Sequence, residues 1–317
     1  MAARGPFQTL LDRARLLPPL AAAVVHPCDA ESLQLALAAE FAGCVAPRLV
    51  GPEARIRAAA LRAGLDISRL PIDDTADDPS MSAARAVELA HEGRVSALVK
   101  GALSDGALLT PVAQPASGLR TDRRLSHATW LGWAARERPL IVTDDRLAVA
   151  PPLAAKRDIL ANAVAFAHAL GVARPAVAIV AAQDTPSRAL ASTVDAVSLR
   201  MIAAETFRDI ATVDGPMTID VALSADCARQ HRPDSPVAGV ADIVVAPSLE
   251  AASMIVRTLV GASGAFAAGI VLGAQVPIVV AGAGDSIDSR VAACVLAMLV
   301  DARTERAAGT TVSARAA

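Results

Sequence analysis

The 317-residue sequence contains no tyrosine and only two lysines, Lys100 and Lys156, against 28 arginines. Alanine fills 74 positions, and a GC-rich coding sequence accounts for the combination. Where arginine supplies nearly every positive charge, each lysine stands out as a candidate compact point charge. A surplus of either charge is lacking too: 30 basic and 32 acidic side chains leave a formal net charge of −2. Nothing global therefore advertises a nucleic-acid partner. Gly, Pro, Asp or Arg interrupts every apolar stretch before it reaches the length of about 18 residues that a membrane span needs. Arg4 is soon followed by Asp12, Arg13 and Arg15, which leaves no clean signal-peptide core. A cytoplasmic globular protein without membrane contact is the expectation.

The four cysteines, Cys28, Cys44, Cys227 and Cys294, lack the pair spacing of zinc ligands and sit among apolar residues. Small buried thiols are expected. The five histidines are scattered, and no His/Asp/Glu set has spacing that suggests a metal. His168 reads as a mid-helix packing or surface residue. His26-Pro27 reads as a turn, or as part of a ligand-lining edge. No GxSxG elbow is present, which withdraws support from a hydrolase triad.

What is present is apolar and patterned. Hydrophobic residues make up 54% and charged residues 20%, which excludes a disordered chain. Strands are expected at Ala22–Val25, Cys44–Val50, Val95–Val99, Leu140–Val142, Ala176–Val180, Ile210–Val213, Ile243–Val245, Ala267–Leu272 and Ile278–Val280. Helices are expected over Ala30–Phe41, Ala54–Ala63, from Ser80 through Glu92, and over Leu153–Leu170 and Ser192–Ala204. Val/Ile/Ala runs without alternation mark strands covered on both faces, hence parallel strands with crossover helices. The fold class is α/β. The charge-rich segment Gly118–Glu137 is expected to carry a crossing between two lobes, and the polar segment Thr304–Ala317 to fray. Residues 1–138 with 287–317 are expected to form the first α/β domain, and 139–286 the second.

In open α/β sheets, ligands sit outside the carboxyl ends of the strands. Lys100-Gly101, Thr143-Asp144-Asp145, Asp184-Thr185, Asp214-Gly215-Pro216 and Gly282-Ala283-Gly284-Asp285-Ser286 each follow an expected strand. Any one of them is accounted for by turn chemistry, but their recurrence points to a cleft. The segment GLRTDRRLSH (Gly118–His127) puts Arg120, Arg123 and Arg124 within five residues. Guanidinium groups bind phosphate bidentately, with Thr121 and Ser126 as added hydroxyl donors; a solvated loop with salt bridges to Asp122 or Glu137 is the alternative. In VVAGAGDSIDS (Val279–Ser289), Gly282 and Gly284 allow close approach of main-chain amides to a phosphate ahead of a helix N-terminus.

These stretches together resemble the phosphate acetyltransferase and phosphate butyryltransferase family from about Ala22 to Asp301. The form fused behind an enoyl-CoA hydratase-like domain is the nearest in pattern. VVHPCDAESL (Val24–Leu33), LVGPEARI (Leu49–Ile56), VKGALSDGALL (Val99–Leu109), GLRTDRRLSH, STVDAVSL (Ser192–Leu199), VDGPMTID (Val213–Asp220), SPVAGVADIVVAPSLEA (Ser235–Ala251) and GIVLGAQVPIVV (Gly269–Val280) carry it. The resemblance implies two α/β domains with an interdomain cleft, isocitrate/isopropylmalate dehydrogenase-like, and a homodimer. It implies exchange of a short acyl group between coenzyme A and inorganic phosphate, with coenzyme A as a substrate and no further cofactor or metal. Carried over by motif, Arg124, Ser126 and Asp285 become catalytic candidates. Lys100, Arg120, Ser192, Thr193, Asp195, Asp214, Gly282, Gly284 and Ser286 become substrate-binding candidates.

The departures matter as well. The family loop places Ser-Arg where this chain has Gly282 and Ala283, and loss of a transition-state arginine costs several kcal/mol, roughly 10² to 10⁴ in rate. Asp184–Thr193 departs from the family's approach to its S-T-x-D element. Ser248 replaces an aspartate, Ala252-Ser253 replaces Gly-Asn, and Asp145-Arg146 replaces a small pair. Arg188 and Arg290 are candidates to supply the missing guanidinium. The alternative reading is a diverged paralogue that binds coenzyme A or acyl phosphate with weak or no catalysis. A metal- or NAD-dependent decarboxylating dehydrogenase ranks last, for want of clustered aspartates or histidines.

Overall fold

The computed structural model describes residues 6–134, 136–282 and 285–315, with side chains from 7 to 304. The chain divides into two compact units. A terminal unit comprises residues 7–123 and, from 268 on, the rest of the described chain, and a central unit comprises Arg124–Ala267. The crossings at 123/124 and 267/268 fall earlier than the sequence pattern puts them, at 138/139 and 286/287. The reason is a strand within the charge-rich segment, Ser126–Gly132, all seven residues of which are buried. A run this apolar at its core belongs to a sheet, and only the polar residues before it cross.

The terminal unit begins with α1 (Pro6–Ala14), β1 (Leu20–Val25), α2 (Ala30–Phe41), β2 (Val45–Gly51), α3 (Glu53–Ala63), β3 (Ile72–Asp74), α4 (Pro79–His91), β4 (Ala97–Lys100) and α5 (Asp105–Ala113). The central unit contains β5 (Ser126–Gly132), β6 (Leu140–Thr143), α6 (Leu153–Ala169), β7 (Ala176–Val180), α7 (Ala191–Thr206), β8 (Thr212–Met217), α8 (Ile219–Leu223), α9 (Ala225–His231), β9 (Ile243–Val245) and α10 (Leu249–Ser263). The return segment adds β10 (Phe266–Leu272), β11 (Ile278–Val279) and α11 (Ile287–Arg315).

In the terminal unit the strand order is β3-β2-β1-β4-β11-β10. β3, β2, β1, β4 and β11 run parallel, while β10 is antiparallel to β11. Ala22, Ala23, Val25 and Leu98 have no exposed surface, the burial on both faces that their unalternating run implies. Helix starts follow local chemistry. The Asp29 side chain accepts from Ser32 N at 2.8 Å to cap α2, and Asp78 with Pro79 opens α4. The terminal segment expected to fray continues α11 to Arg315, as its alanine, arginine and glutamate content favours.

In the central unit the order is β5-β6-β9-β7-β8. β6, β9, β7 and β8 are parallel, and β5 returns antiparallel along β6 with Thr129 opposite Val142. The strand pairing in each unit is therefore mixed rather than wholly parallel. One face of the central sheet carries a core of Leu131, Leu140, Val142, Val180, Val221, Val244 and Ala252, against which α8 and α10 pack. The other face meets α7 through Ile179, Ala196 and Leu199. Asp214-Gly215-Pro216 does not form the turn its composition suggests but lies within β8. That strand ends the sheet order, and an edge strand tolerates a proline that cannot donate to a ladder.

Gly101 shows how tightly β1 and β4 close at their ends. A Cβ there would lie 2.4 Å from Val25 O and 2.9 Å from His26 O, both main-chain atoms. Gly101→Ala is therefore expected to cost about 1–3 kcal/mol, read as a lower urea midpoint at unchanged slope. An unchanged midpoint would refute the close approach.

Candidate functional site

In the central unit the carboxyl ends of β6, β9, β7 and β8 share one edge, and β5 starts from it. Arg124 and Ser126 stand there. α6 grips their main chain: Arg124 N donates to Asp158 Oδ2 at 3.4 Å, and Asn162 Nδ2 donates to Arg124 O at 2.9 Å. Asn162 Nδ2 also donates to Ser126 Oγ at 2.8 Å, leaving the serine its own proton to give. The Arg124 side chain is exposed and pairs with nothing among the described residues. A guanidinium fixed at its root and free at its tip suits capture of an oxyanion.

The S-T-x-D residues open α7 at the same edge. Asp195 is half-buried and accepts from Lys156 Nζ at 2.7 Å, so its charge is already neutralised. Thr193 is fully buried; its Oγ1 donates to Leu190 O at 2.7 Å and accepts from Ser187 N at 2.8 Å. It closes the preceding loop, while Ser192 beside it stays half-exposed. Arg188 is exposed on that loop. Lys156 was distinguished in the sequence only by the rarity of lysine, and Asp158 and Asn162 carried no signal beyond polarity in an apolar helix.

On the other face of β5, His127 Nδ1 meets Asp145 Oδ1 at 2.6 Å, and Thr129 Oγ1 donates to Asp145 Oδ2 at 2.9 Å. Burial pushes the Asp145 carboxyl up, but the adjacent imidazole and these hydrogen bonds outweigh it and hold it below the usual range. Asp144 organises the turn, accepting from His127 N at 3.0 Å and from Arg146 N at 2.9 Å. His127 Nε2 is buried without a partner among the described residues.

Asp214 sits in mid-strand with both oxygens occupied. Oδ1 accepts from Gly215 N at 2.8 Å and Arg200 Nη1 at 3.3 Å; Oδ2 accepts from Ser235 Oγ at 2.5 Å and Arg232 Nη2 at 2.9 Å. Burial raises its carboxyl, yet the Ser235 and Gly215 bonds and the Arg232 charge bring it below the usual range. Such a carboxylate knits β8 to the segment after α9.

In the terminal unit, Lys100 and Gly101 lie at the carboxyl end of β4, and Gly282, Asp285 and Ser286 follow β11. Lys100 Nζ donates to Leu103 O at 2.9 Å and lies 3.4 Å from Asp105 Oδ1. Gly282 N donates to Asp285 Oδ2 at 2.5 Å, and Ser286 Oγ accepts from Ser289 N at 3.1 Å at the start of α11. Arg290 braces this turn from beneath, donating to Gly282 O at 3.1 Å and Asp285 O at 3.2 Å and pairing with Glu31. Its guanidinium is thus committed to protein acceptors. Ala283 and Gly284 lie outside the described residues. Arg120 is placed elsewhere: it bridges Ala274, while Thr121 Oγ1 donates to Gly273 O at 2.7 Å. That turn precedes β11, so Arg120 and Gly282 stand at opposite ends of the strand.

Among the described residues, no group of three His, Cys, Asp or Glu could hold a metal ion, and no helix is long and apolar enough to cross a membrane. A family model described as phosphate acetyl/butaryl transferase matches residues 74–298. A phosphate acetyltransferase of Rhizobium meliloti is 40% identical over 301 residues, covering 95% of this chain and 95% of the relative. A phosphate butyryltransferase of Clostridium beijerinckii is 30% identical over 299 residues, covering 94% of this chain and 99% of the relative. The fold is similar to the crystal structure of a branched-chain phosphotransacylase from Enterococcus faecalis V583, with a TM-score of 0.78 at 24% identity. That match covers 89% of this chain and 99% of the other.

The depressed Asp214 carboxyl makes a signed prediction. Its contribution to stability is present in full above the ordinary carboxylate pKa of about 4 and is lost as pH falls through its lower folded value. Asp214→Asn is expected to lower stability at pH 7 by about 2 kcal/mol. Denaturant titrations of both proteins between pH 7 and roughly pH 2 should show the gap shrinking only below about pH 4. A gap independent of pH would refute the assignment.

Proposed function

The chain belongs to the phosphate acetyl/butyryl transferase family, and we propose that it moves a short acyl group between coenzyme A and inorganic phosphate. The thiolate sulfur of coenzyme A attacks the carbonyl carbon of the acyl phosphate, the carbon–oxygen bond to phosphate breaks, and phosphate leaves. Arg124 and Ser126 hold the phosphoryl oxygens and stabilise the charge that builds on them. The carrying observation is the Arg124 side chain, exposed while Asp158 and Asn162 fix its main chain. Within the terminal unit, Gly282 and Ser286 offer main-chain and hydroxyl donors to substrate, Asp285 orders their turn, and Lys100 adds a point charge.

Ser192 lies within the same reading as a hydroxyl donor, whereas Thr193, Asp195 and Asp214 act by holding structure. Arg120, placed with the turn before β11, is left to a part of coenzyme A remote from the reacting carbon. Family membership and identity with phosphate acetyltransferases favour the enzyme over the non-catalytic reading built on Gly282 and Ala283. A cytoplasmic homodimer, an isocitrate/isopropylmalate dehydrogenase-like two-domain arrangement and independence of any bound cofactor complete the proposal.

The purified chain is expected to release free thiol from acetyl-CoA or butyryl-CoA only when phosphate is supplied. Arg124→Ala should lower kcat/KM by about 10²- to 10³-fold. Wild-type turnover no faster than that of Arg124→Ala with either acyl-CoA would sink the assignment.

A further inference from the structure

The acyl-transfer reading leaves the thiol proton without an acceptor. Asp285 is poorly suited, because its Oδ2 already accepts from Gly282 N. A second titratable group stands at the same edge of the terminal unit. His26 follows the last residue of β1, and Val25 pairs with Lys100 of β4, while Val99 pairs with Val279 of β11. His26, Gly101 and Ala281 therefore come at matching places beyond three neighbouring strands, one residue short of Gly282.

Among the described residues, His26 is the one non-glycine with a left-handed backbone, at φ 54°. A residue held in that region signals a surrounding structure that over-determines it. Its N donates to Val50 O at 2.7 Å, and its O accepts from Cys28 N at 2.8 Å and Ala102 N at 2.9 Å. Cβ atoms added at Gly51 or Gly101 would crowd its main chain at 3.3 Å and 2.9 Å. The imidazole itself is almost wholly buried.

A chain of hydroxyls meets its Nδ1. His26 Nδ1 lies 3.0 Å from Ser82 Oγ, and Ser82 Oγ lies 3.1 Å from Thr75 Oγ1. Thr75 Oγ1 donates to Ala76 O at 3.1 Å, and Ser82 Oγ also reaches Asp78 O at 3.4 Å. Asp78 O can take the Ser82 proton, and Ser82 Oγ then accepts from Nδ1–H, the tautomer in which Nε2 carries the lone pair. Nε2 has no partner among the described residues.

We propose that His26 is the base that takes the proton from the coenzyme A thiol, an assignment that rests on the acyl-transfer reading. Nε2 accepts the proton, the sulfur lone pair forms the bond to the acyl carbon, and the bond to phosphate breaks with its electron pair leaving on phosphate. In the opposite direction the imidazolium returns the proton to the departing thiolate. The charged groups around the ring are Arg55 on α3, Asp77 and Asp78 ahead of α4, and Asp29 at the cap of α2. Burial and then Arg55 lower the imidazole's pKa, against the opposing pull of the three aspartates. The ring is accordingly neutral at pH 7 and able to accept.

The experiment follows kcat/KM for coenzyme A with acetyl phosphate as a function of pH. Wild type should lose rate on the acid side with a midpoint below the ordinary histidine value of 6.5. His26→Asn, whose side chain tolerates the left-handed region, should fall about 10²-fold and lose that limb. A His26→Asn enzyme that keeps both rate and limb overturns the assignment and leaves the acyl-transfer reading standing. A wild type with no phosphate-dependent turnover overturns that reading and this one with it. If His26→Asn does not fold, His26→Gly decides. Activity regained on adding imidazole supports the base, and a folded variant that imidazole leaves inactive refutes it.

Discussion

Burial of parallel strands on both faces is the constraint from which the rest follows. A strand such as Leu20–Val25, covered above and below, offers no place for polar chemistry along its length. Charged and hydroxyl side chains are displaced to where the main chain leaves the sheet, and helix N-termini collect at the carboxyl ends of the strands that precede them. Lys100, His26 and the turn from Gly282 to Ser286 owe their company to this rule, as do Arg124, Ser126 and Ser192 in the central unit. His26, Lys100 and Gly282 are far apart in sequence and are brought together by the pairing of β1, β4 and β11.

The rule was legible in the sequence where strands were apolar and unbroken. The Val/Ile/Ala runs of β1, β4, β6, β7 and β9 announced buried parallel strands, and all five are found. It failed where composition and environment conflict. Ser126–Gly132 begins with serine and histidine inside a charged segment, yet every residue is buried, with Asn162 meeting Ser126 Oγ, Thr143 meeting His127 O and Asp145 meeting His127 Nδ1. Asp214-Gly215-Pro216 carries turn residues, yet sits in an edge strand where Arg200, Arg232 and Ser235 meet the carboxylate. In both cases the deciding partners lie far along the chain, and local pattern holds no record of them.

The candidate site was legible to a different depth. Motif resemblance identified which positions carry polar groups but not whether those groups are available. Asp195 and Asp214 are neutralised by Lys156 and by arginines, and Thr193 is spent on its own loop. Arg290 has the guanidinium that Ala283 lacks, yet the carbonyls of the turn and Glu31 already use it. Arg124 alone among these combines a fixed main chain with an unpaired tip. Availability is a property of three-dimensional partners, and it separates a group that binds substrate from one that shapes the place where substrate binds.

The same distinction bears on the proton. An alkyl thiol has a pKa near 8.5 and a free carboxylate one near 4, so proton transfer between the two in water is uphill by about 6 kcal/mol. An ordinary imidazole reduces that to about 3 kcal/mol, and the lowered pKa of His26 surrenders part of the gain. What it obtains in exchange is a neutral ring at working pH. Burial that left the imidazole basic would also leave more of it protonated and unable to accept. A depression set by desolvation and Arg55 against three aspartates keeps the base in its unprotonated form. Basicity and an unprotonated Nε2 thus make opposite demands on one ring, and Ser82, backed by Thr75, stands at Nδ1 to accept its hydrogen when Nε2 is the free nitrogen.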